Sequence, residues 1–366
     1  MNNFEQYVRQ MMIPGFGESR QNQLANARIL VVGAGGLGCP AMLYLAAAGI
    51  GNIGVIDFDI IEISNLHRQI LFGYDDIGKN KATTAAFKLT QFYPAIKVNA
   101  FPVKLQKLNA VEIIDSYDLV IDGSDNFETR YLINDVCVLL NKPLVFGSVY
   151  RFEGQVAVFN LKINSAYSAN YRDFFSNQPL PGQVPDCNEA GVIGVMPGLI
   201  GVLQASEAIK IITGFGEVLI NAVLNVDLQN NSFYKIALTP SASNRISAKE
   251  FEARNYQNNL CDVVEDIEIS GDELEVLIGQ NPDCMVVDIR EKFEAPPIEN
   301  CKNVSIPLSE LDLQLNQLKQ YSLIVFVCQT GKRSTNAVLK YSQNLAAKCM
   351  SLKGGVLEWN AAQLKH

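Results

Sequence analysis

The sequence predicts two α/β domains, a larger doubly wound sheet followed by a smaller α/β unit, on three observations. Short apolar runs alternate with helical stretches from Arg28 onward, and a glycine-rich turn lies between the first run and the first helix. The same alternation restarts after a polar stretch that begins at Thr239. At 366 residues the chain exceeds one ordinary domain, and with 48% hydrophobic and 19% charged residues it can bury two cores.

The elements follow in order. Arg28 to Gly33 reads as a buried strand, Leu37 to Ala48 as an apolar helix, and Ile53 to Asp57 as the next strand. Strands are expected at Lys97 to Val103, Leu119 to Asp122, Pro143 to Gly147 and Gly154 to Asn160, with helices at Asn80 to Phe92 and Thr129 to Asn141. Val192 to Thr213 is rich in small and apolar residues but interrupted by Gly194, Pro197, Glu207 and Lys210, which suits a core helix rather than a membrane span. Asn221 to Leu238 reads as a strand region that closes the first domain. In the second domain, Val286 to Ile289 and Leu323 to Val327 read as buried strands and Thr335 to Ala347 as a helix. The expected division is a first domain at 1–245, a linker at 246–264 and a second domain at 265–366.

Composition removes several functions. A net charge of −8 opposes an extended nucleic-acid footprint, which needs clustered cations to displace counterions from phosphates. The start, Met1 to Gln6, has no basic segment followed by an apolar one, so a cytoplasmic protein without membrane association is expected. Eight cysteines dispersed over this length do not form a disulfide framework, and each must be judged by its surroundings.

The turn Gly33-Ala-Gly35-Gly36-Leu-Gly38, followed about twenty residues later by Asp57, fits a nucleotide site of Rossmann type. Glycines let backbone approach a phosphate, a helix N-terminus supplies N–H donors, and the acid accepts from ribose. The next residues distinguish the candidates. Asn65, His67 and Arg68, then Lys81, then Asp122-Gly-Ser-Asp125-Asn126 bring cations, amides and an acid together. That set suits phosphate chemistry with magnesium better than the apolar walls a nicotinamide needs.

From about Tyr7 to Leu238, through Arg28-Ile-Leu-Val-Val-Gly-Ala-Gly-Gly-Leu-Gly-Cys39, Ser64-Asn-Leu-His-Arg-Gln69, Asp125-Asn126 and Cys187-Asn-Glu-Ala-Gly-Val192, the chain resembles the MoeB/ThiF family, relatives of the ubiquitin-activating enzymes. The resemblance implies ATP and Mg2+ as cofactors, with Gly36 at the phosphates, Asp57 at the ribose, Asn65 and Arg68 on the phosphate chain, Lys81 on the phosphates, and Asp125 on the metal beside Asn126. It also implies that Arg9 reaches the neighbouring protomer's ATP, hence a homodimer. The implied reaction is attack of a carboxylate on the α-phosphate, giving an acyl-phosphate anhydride open to sulfur. One feature departs from the family. Where members often hold zinc with two C-x-x-C pairs, one written Cys-Tyr-Arg-Cys, this chain has Asn170-Tyr171-Arg172-Asp173, so no structural zinc is expected.

In the second domain, Leu323 to Val327 runs into Cys328-Gln-Thr-Gly-Lys-Arg333-Ser334. A cysteine at a strand end, wrapped by backbone N–H groups leading into a helix, has its anion or persulfide favoured by those dipoles. With Asp288-Ile-Arg290 and Leu352-Lys-Gly-Gly355, this resembles the rhodanese active loop over roughly Ile269 to His366, although Gln329 follows the cysteine where arginine is common. A phosphatase loop shares the spacing, and fusion to an adenylating domain favours sulfur transfer. Cys187 opens a loop after a proline-rich stretch and is the expected second thiol, to resolve an intermediate, form a thioester or pack the loop. The expected partners are a small ubiquitin-like sulfur carrier ending in Gly-Gly, of molybdopterin or thiamin type, and a sulfane-sulfur donor. An NAD(P)-dependent oxidoreductase and a non-catalytic dimeric adaptor are the rival readings.

Overall fold

The computed structural model describes residues 4–176, 191–256, 267–281 and 283–363, which divide into two compact units, up to Tyr256 and from Ile267 onward.

The first unit is built on an eight-stranded sheet. β1 (Arg28–Val32), β2 (Asn52–Ile56), β3 (Lys97–Phe101), β4 (Leu119–Asp122) and β5 (Leu144–Tyr150) are parallel; β1, β2 and β4 are buried along nearly their whole length, hence their apolar runs, whereas β3 at the edge is only partly buried. β6 (Glu153–Phe159) returns antiparallel along β5. A small hairpin, β7 (Lys162–Ile163) with β8 (Ala166–Tyr167), stands outside the sheet, and β9 (Ala222–Asp227) and β10 (Ser232–Ala237) extend it antiparallel. The spatial order is β10-β9-β6-β5-β4-β1-β2-β3. Strand order therefore reverses on either side of β1, and the carboxyl ends of β1, β2 and β4 open onto one crevice, where open α/β sheets bind ligands.

Two apolar clusters cover the two faces of this sheet. The helix Val195–Thr213 lies in one of them, with Met196, Ile200, Ala205 and Ala208 buried, as a core helix should be. Its Gln204 reaches through to donate to the Asp122 and Val145 carbonyls, at 2.7 and 3.3 Å, locking it across the sheet near the crevice. The helix Lys107–Asp115 was not anticipated; it turns only Ala110 and Ile114 inward.

Residues 170–173 are tied by hydrogen bonds. Asp173 Oδ1 accepts from the Ser241 N–H at 3.0 Å and from Asn244 Nδ2 at 2.8 Å, while its Oδ2 accepts from Asn170 N–H and Nδ2 at 2.9 and 3.1 Å. Beside this knot, fully buried Asp135 receives a two-pronged bond from Arg172, both at 2.7 Å, and a third from the Tyr256 hydroxyl at 2.6 Å. Residues 246–256, expected to begin the linker, instead carry Ile246, Phe251 and Tyr256 into the first unit's core.

The second unit has a five-stranded parallel sheet in the order β11-β15-β14-β12-β13, with β11 at Glu268–Ile269, β12 at Cys284–Asp288, β13 at Asn303–Ser305, β14 at Leu323–Val327 and β15 at Lys348–Leu352. Central β14 is buried along its whole length. The helix after it spans Lys332–Tyr341, earlier than the expected Thr335 to Ala347, because Gly331 at φ +91° closes the cysteine loop straight into the helix.

Candidate active site

In the first unit, glycine is required at Gly33. Its φ is +93°, and a Cβ there would lie 2.7 Å from the Gly123 carbonyl oxygen. The close approach brings the β1 loop against the β4 loop that carries Asp125. Gly36 packs against Pro197 and the Arg68 stem, which an added Cβ would meet at 3.1 and 3.4 Å. The loop enters the helix Gly38–Ala48, where the Cys39 and Ala41 N–H groups donate to the Gly35 and Leu37 carbonyls at 3.0 and 3.2 Å and Pro40 has no N–H, so amide donors for an anion must come from the turn before it.

Asp57 follows β2. Its Oδ2 accepts from Ala34 N–H at 2.8 Å and its Oδ1 from Asp59 N–H at 2.9 Å, which pins the carboxylate beside the glycine turn. Burial raises its carboxyl above the ordinary aspartate range, with Lys81 pulling the other way. Lys81 begins the helix Lys81–Phe92, capped by Asn80, and its buried Nζ lies 3.0 Å from Asp59 Oδ2. Sequence reasoning gave Asp59 no role; it orients Lys81.

Buried Asn65 ends the 3₁₀ turn Ile63–Asn65, with its Oδ1 accepting from Glu62 N–H at 3.2 Å. Arg68 Nη1 donates to the Ser64 carbonyl at 3.0 Å, and His67 is tethered to the same oxygen. After β4, Asp122 is buried, accepts from Ser124 and is pushed up by that burial, whereas Asp125 is exposed at the crevice. Asn126 caps the helix Phe127–Leu140, accepting from Thr129 N–H at 2.9 Å, and its Nδ2 lies 3.4 Å from Asp125 Oδ1. Gly36, Asp57, Arg68, Lys81 and the Asp125 loop are thus gathered at adjacent strand ends.

Arg9 begins elsewhere. It is exposed on the short helix Val8–Met11, whose neighbours Tyr7 and Gln10 pack against Gly49 and the Ala48 carbonyl. That is the far end of the helix Gly38–Ala48, roughly 16 Å from the glycine turn along an eleven-residue helix. Cys187 lies outside the described residues, as do Cys261 and His366.

In the second unit, Cys328 sits at the end of β14 and is fully buried. Its Sγ accepts from Ser334 N–H at 3.4 Å and lies 3.5 Å from Ser334 Oγ, which itself receives a bond from Ser351 at 2.8 Å. Gly355, at φ +62°, has no room for a Cβ, which would fall 2.2 Å from the Cys328 carbonyl oxygen. Val356 N–H donates to that oxygen at 2.9 Å, so the end of β15 clamps the loop. Arg290 is paired with Asp288, and Arg333 with Glu294, a residue the sequence alone did not flag. Among the other cysteines, burial pushes Cys39 up to about 12 and raises Cys137 further, which fits inert core thiols.

Known proteins resemble this chain over both units. The ThiF family model matches residues 7–247, and the rhodanese-like domain model matches residues 270–362. A "Probable adenylyltransferase/sulfurtransferase MoeZ" of Mycobacterium tuberculosis is 38% identical over 363 residues, covering 96% of this chain and 92% of its own length. The "Sulfur carrier protein adenylyltransferase" of Thermus thermophilus is 48% identical over 235 residues, covering 64% of this chain and 87% of its own. Among solved structures, E. coli MccB with ATP is similar in fold, with a TM-score of 0.57 at 22% identity over 65% of this chain and 73% of that one. The chain belongs to the ThiF family and carries a rhodanese-like domain behind its ThiF domain.

Proposed function

We propose that this protein adenylates the C-terminal glycine carboxylate of a small ubiquitin-like sulfur carrier and then converts it to a thiocarboxylate with sulfur held on Cys328. The observation that carries this is the union in one chain of a glycine turn fit for phosphate and a buried cysteine whose sulfur accepts from the Ser334 backbone amide. Full-length relatives named for both adenylyltransferase and sulfurtransferase activity support it. The carrier is of molybdopterin or thiamin type.

The residues present suit ATP. The glycine turn would offer N–H donors, Asp57 has lone pairs left for ribose, and Asn65, Arg68 and Lys81 would bind the phosphates. Asp125 would hold magnesium, with Asn126 beside it; bound there, the ion offsets charge on phosphate oxygens. Arg68 and Lys81 would steady the charge that builds when the carrier carboxylate attacks the α-phosphate. Arg9, anchored at the far end of the first helix, acts on the partner protomer's site in a homodimer.

Cys328 receives sulfane sulfur, and the terminal sulfur of its persulfide attacks the acyl-adenylate carbonyl, releasing AMP and leaving an acyl-disulfide. Cys187 then attacks the Cys328 sulfur, releasing the thiocarboxylate and leaving a Cys187–Cys328 disulfide for cellular thiols to reduce. The Asp173 knot takes the place of a zinc clamp, since neither joined segment offers a thiolate. The chain works in the cytoplasm, with domains at 1–245 and 265–366 and residues 246–256 attached to the first. Carrier-dependent exchange of pyrophosphate into ATP is the test: a carrier ending in Gly-Gly should support it. Binding of NAD without binding of ATP would instead favour an oxidoreductase, and ATP binding without exchange an adaptor.

A further inference from the structure

Cys328 has no exposed surface, so its thiol proton meets no open path to bulk water. A chain of hydroxyls starts at its sulfur instead. Ser334 Oγ lies 3.5 Å from Cys328 Sγ, Ser351 Oγ 2.8 Å from Ser334 Oγ, and Thr335 Oγ1 3.1 Å from Ser351 Oγ. The chain ends on a carboxylate, with Glu268 Oε1 2.7 Å from Thr335 Oγ1. The three hydroxyl residues are buried, whereas Glu268 is half-buried and reaches solvent. Three elements hold these groups in line: β11 carries Glu268, β15 carries Ser351, and the helix Lys332–Tyr341 carries Ser334 and Thr335. Register fixes the outer end, because Glu268 pairs directly with Ser351 on the neighbouring strand. The Gly331 carbonyl, 2.8 Å from Ser334 Oγ and 3.0 Å from Thr335 Oγ1, already offers these hydroxyls an acceptor. Satisfying them therefore does not require a carboxylate at the end of the chain.

We propose that Ser334, Ser351, Thr335 and Glu268 form a proton relay that carries the Cys328 thiol proton to the protein surface as the thiolate forms to accept sulfur. The proposal rests on Cys328 being the sulfur acceptor. In the thiol state Cys328 donates to Ser334, Ser334 to Ser351, Ser351 to Thr335, and Thr335 to the Glu268 carboxylate. One shift along the chain reverses every bond. Each hydroxyl passes on its own proton and receives its neighbour's, so all three stay neutral, Cys328 becomes a thiolate and Glu268 holds the proton until water takes it. The thiolate then attacks the terminal sulfur of a persulfide R–S–SH. A new S–S bond forms to Cys328, the donor's S–S bond breaks, and R–S⁻ leaves with the electron pair and takes a proton from solvent, while the transferred sulfur keeps its own. Only Ser334 touches the reacting sulfur; Ser351, Thr335 and Glu268 are positioning residues that act through it.

The test follows persulfide formation on Cys328 of the full chain, located by peptide mass after rapid quench, with saturating cysteine persulfide as donor. Glu268→Gln keeps an oxygen to accept from Thr335 but cannot take a proton, and it should slow loading by about tenfold or more. Ser351→Ala interrupts the chain at its middle and should slow loading to a similar extent. The double variant should be no slower than the slower single one, because a relay broken once is already broken. Glu268→Asp should keep part of the rate, with the fold of every variant checked by circular dichroism. Wild-type loading in folded Glu268→Gln, or losses that multiply in the double variant, overturns the proposal. Should Glu268→Gln fail to fold, Ser351→Ala and Thr335→Val decide by the same rule. Persulfide formed as readily in Cys328→Ser would overturn the assignment of Cys328 itself, a separate failure.

Discussion

The two sites lie at the same place in two α/β sheets, the carboxyl ends of central parallel strands, and yet they are finished differently. In the first unit Asp125 is exposed, on a loop that the glycine turn approaches closely at Gly33 and Gly123, and Arg68 packs beside Gly36 of the same turn. In the second, Cys328 is fully buried, its sulfur is held by Ser334, and the flanking arginines are each matched by an acid. A crevice lined with charges suits a large polyanion that arrives with its own metal. A closed, self-neutralised loop suits storage of one atom. The same strand-end geometry thus serves reception in one unit and retention in the other.

The sharpest way to break this comparison is at the sulfur. Cys328→Ser should abolish thiocarboxylate formation while leaving carrier-dependent pyrophosphate exchange intact, and loss of both activities would tie the sites together more closely than argued. Next comes Asp125→Ala, expected to lower exchange by roughly a hundredfold, about 3 kcal/mol, with the circular dichroism spectrum unchanged; near wild-type exchange removes Asp125 from the mechanism. Cys187→Ala should accumulate carrier disulfide-linked through Cys328 under non-reducing conditions, whereas undiminished release without added reductant would end the relay. Mixing Arg9→Ala with Arg68→Ala protein should restore up to about a quarter of the activity, because a random hybrid dimer has one intact site of two. No recovery despite demonstrated subunit exchange would refute the shared site. The smallest effect is expected at Asp173→Ala, a loss of about 1–3 kcal/mol of stability read by denaturant unfolding, with zinc content measured alongside.

Much of the nucleotide half was legible because its signals are local. Strand, glycine turn and helix fall within one short run, and Asp57 and Asp125 each closely follow a strand end that the apolar pattern marks. The helix Lys107–Asp115 escaped because two inward residues in nine give little periodicity. The helix after Cys328 was placed too late because buried Leu345 and Ala347 prolong the apolar pattern after the regular helix has ended at Tyr341. Glu294 and the Asp173 knot were invisible for another reason: Glu294 and Arg333 are 39 residues apart, and Asp173 and Asn244 are 71 apart. Nothing local records which acid a distant partner will meet.

The most direct test of the account is intact-mass analysis of a Gly-Gly-ending carrier incubated with the full chain, MgATP and a persulfide donor. The expected carrier first gains an adenylate and then exchanges one carboxyl oxygen for sulfur, with the second change absent in Cys328→Ser. A carrier that acquires sulfur without ATP, or one that is adenylated but gains no sulfur from an active Cys328 persulfide, would contradict the coupling of the two sites in one reaction.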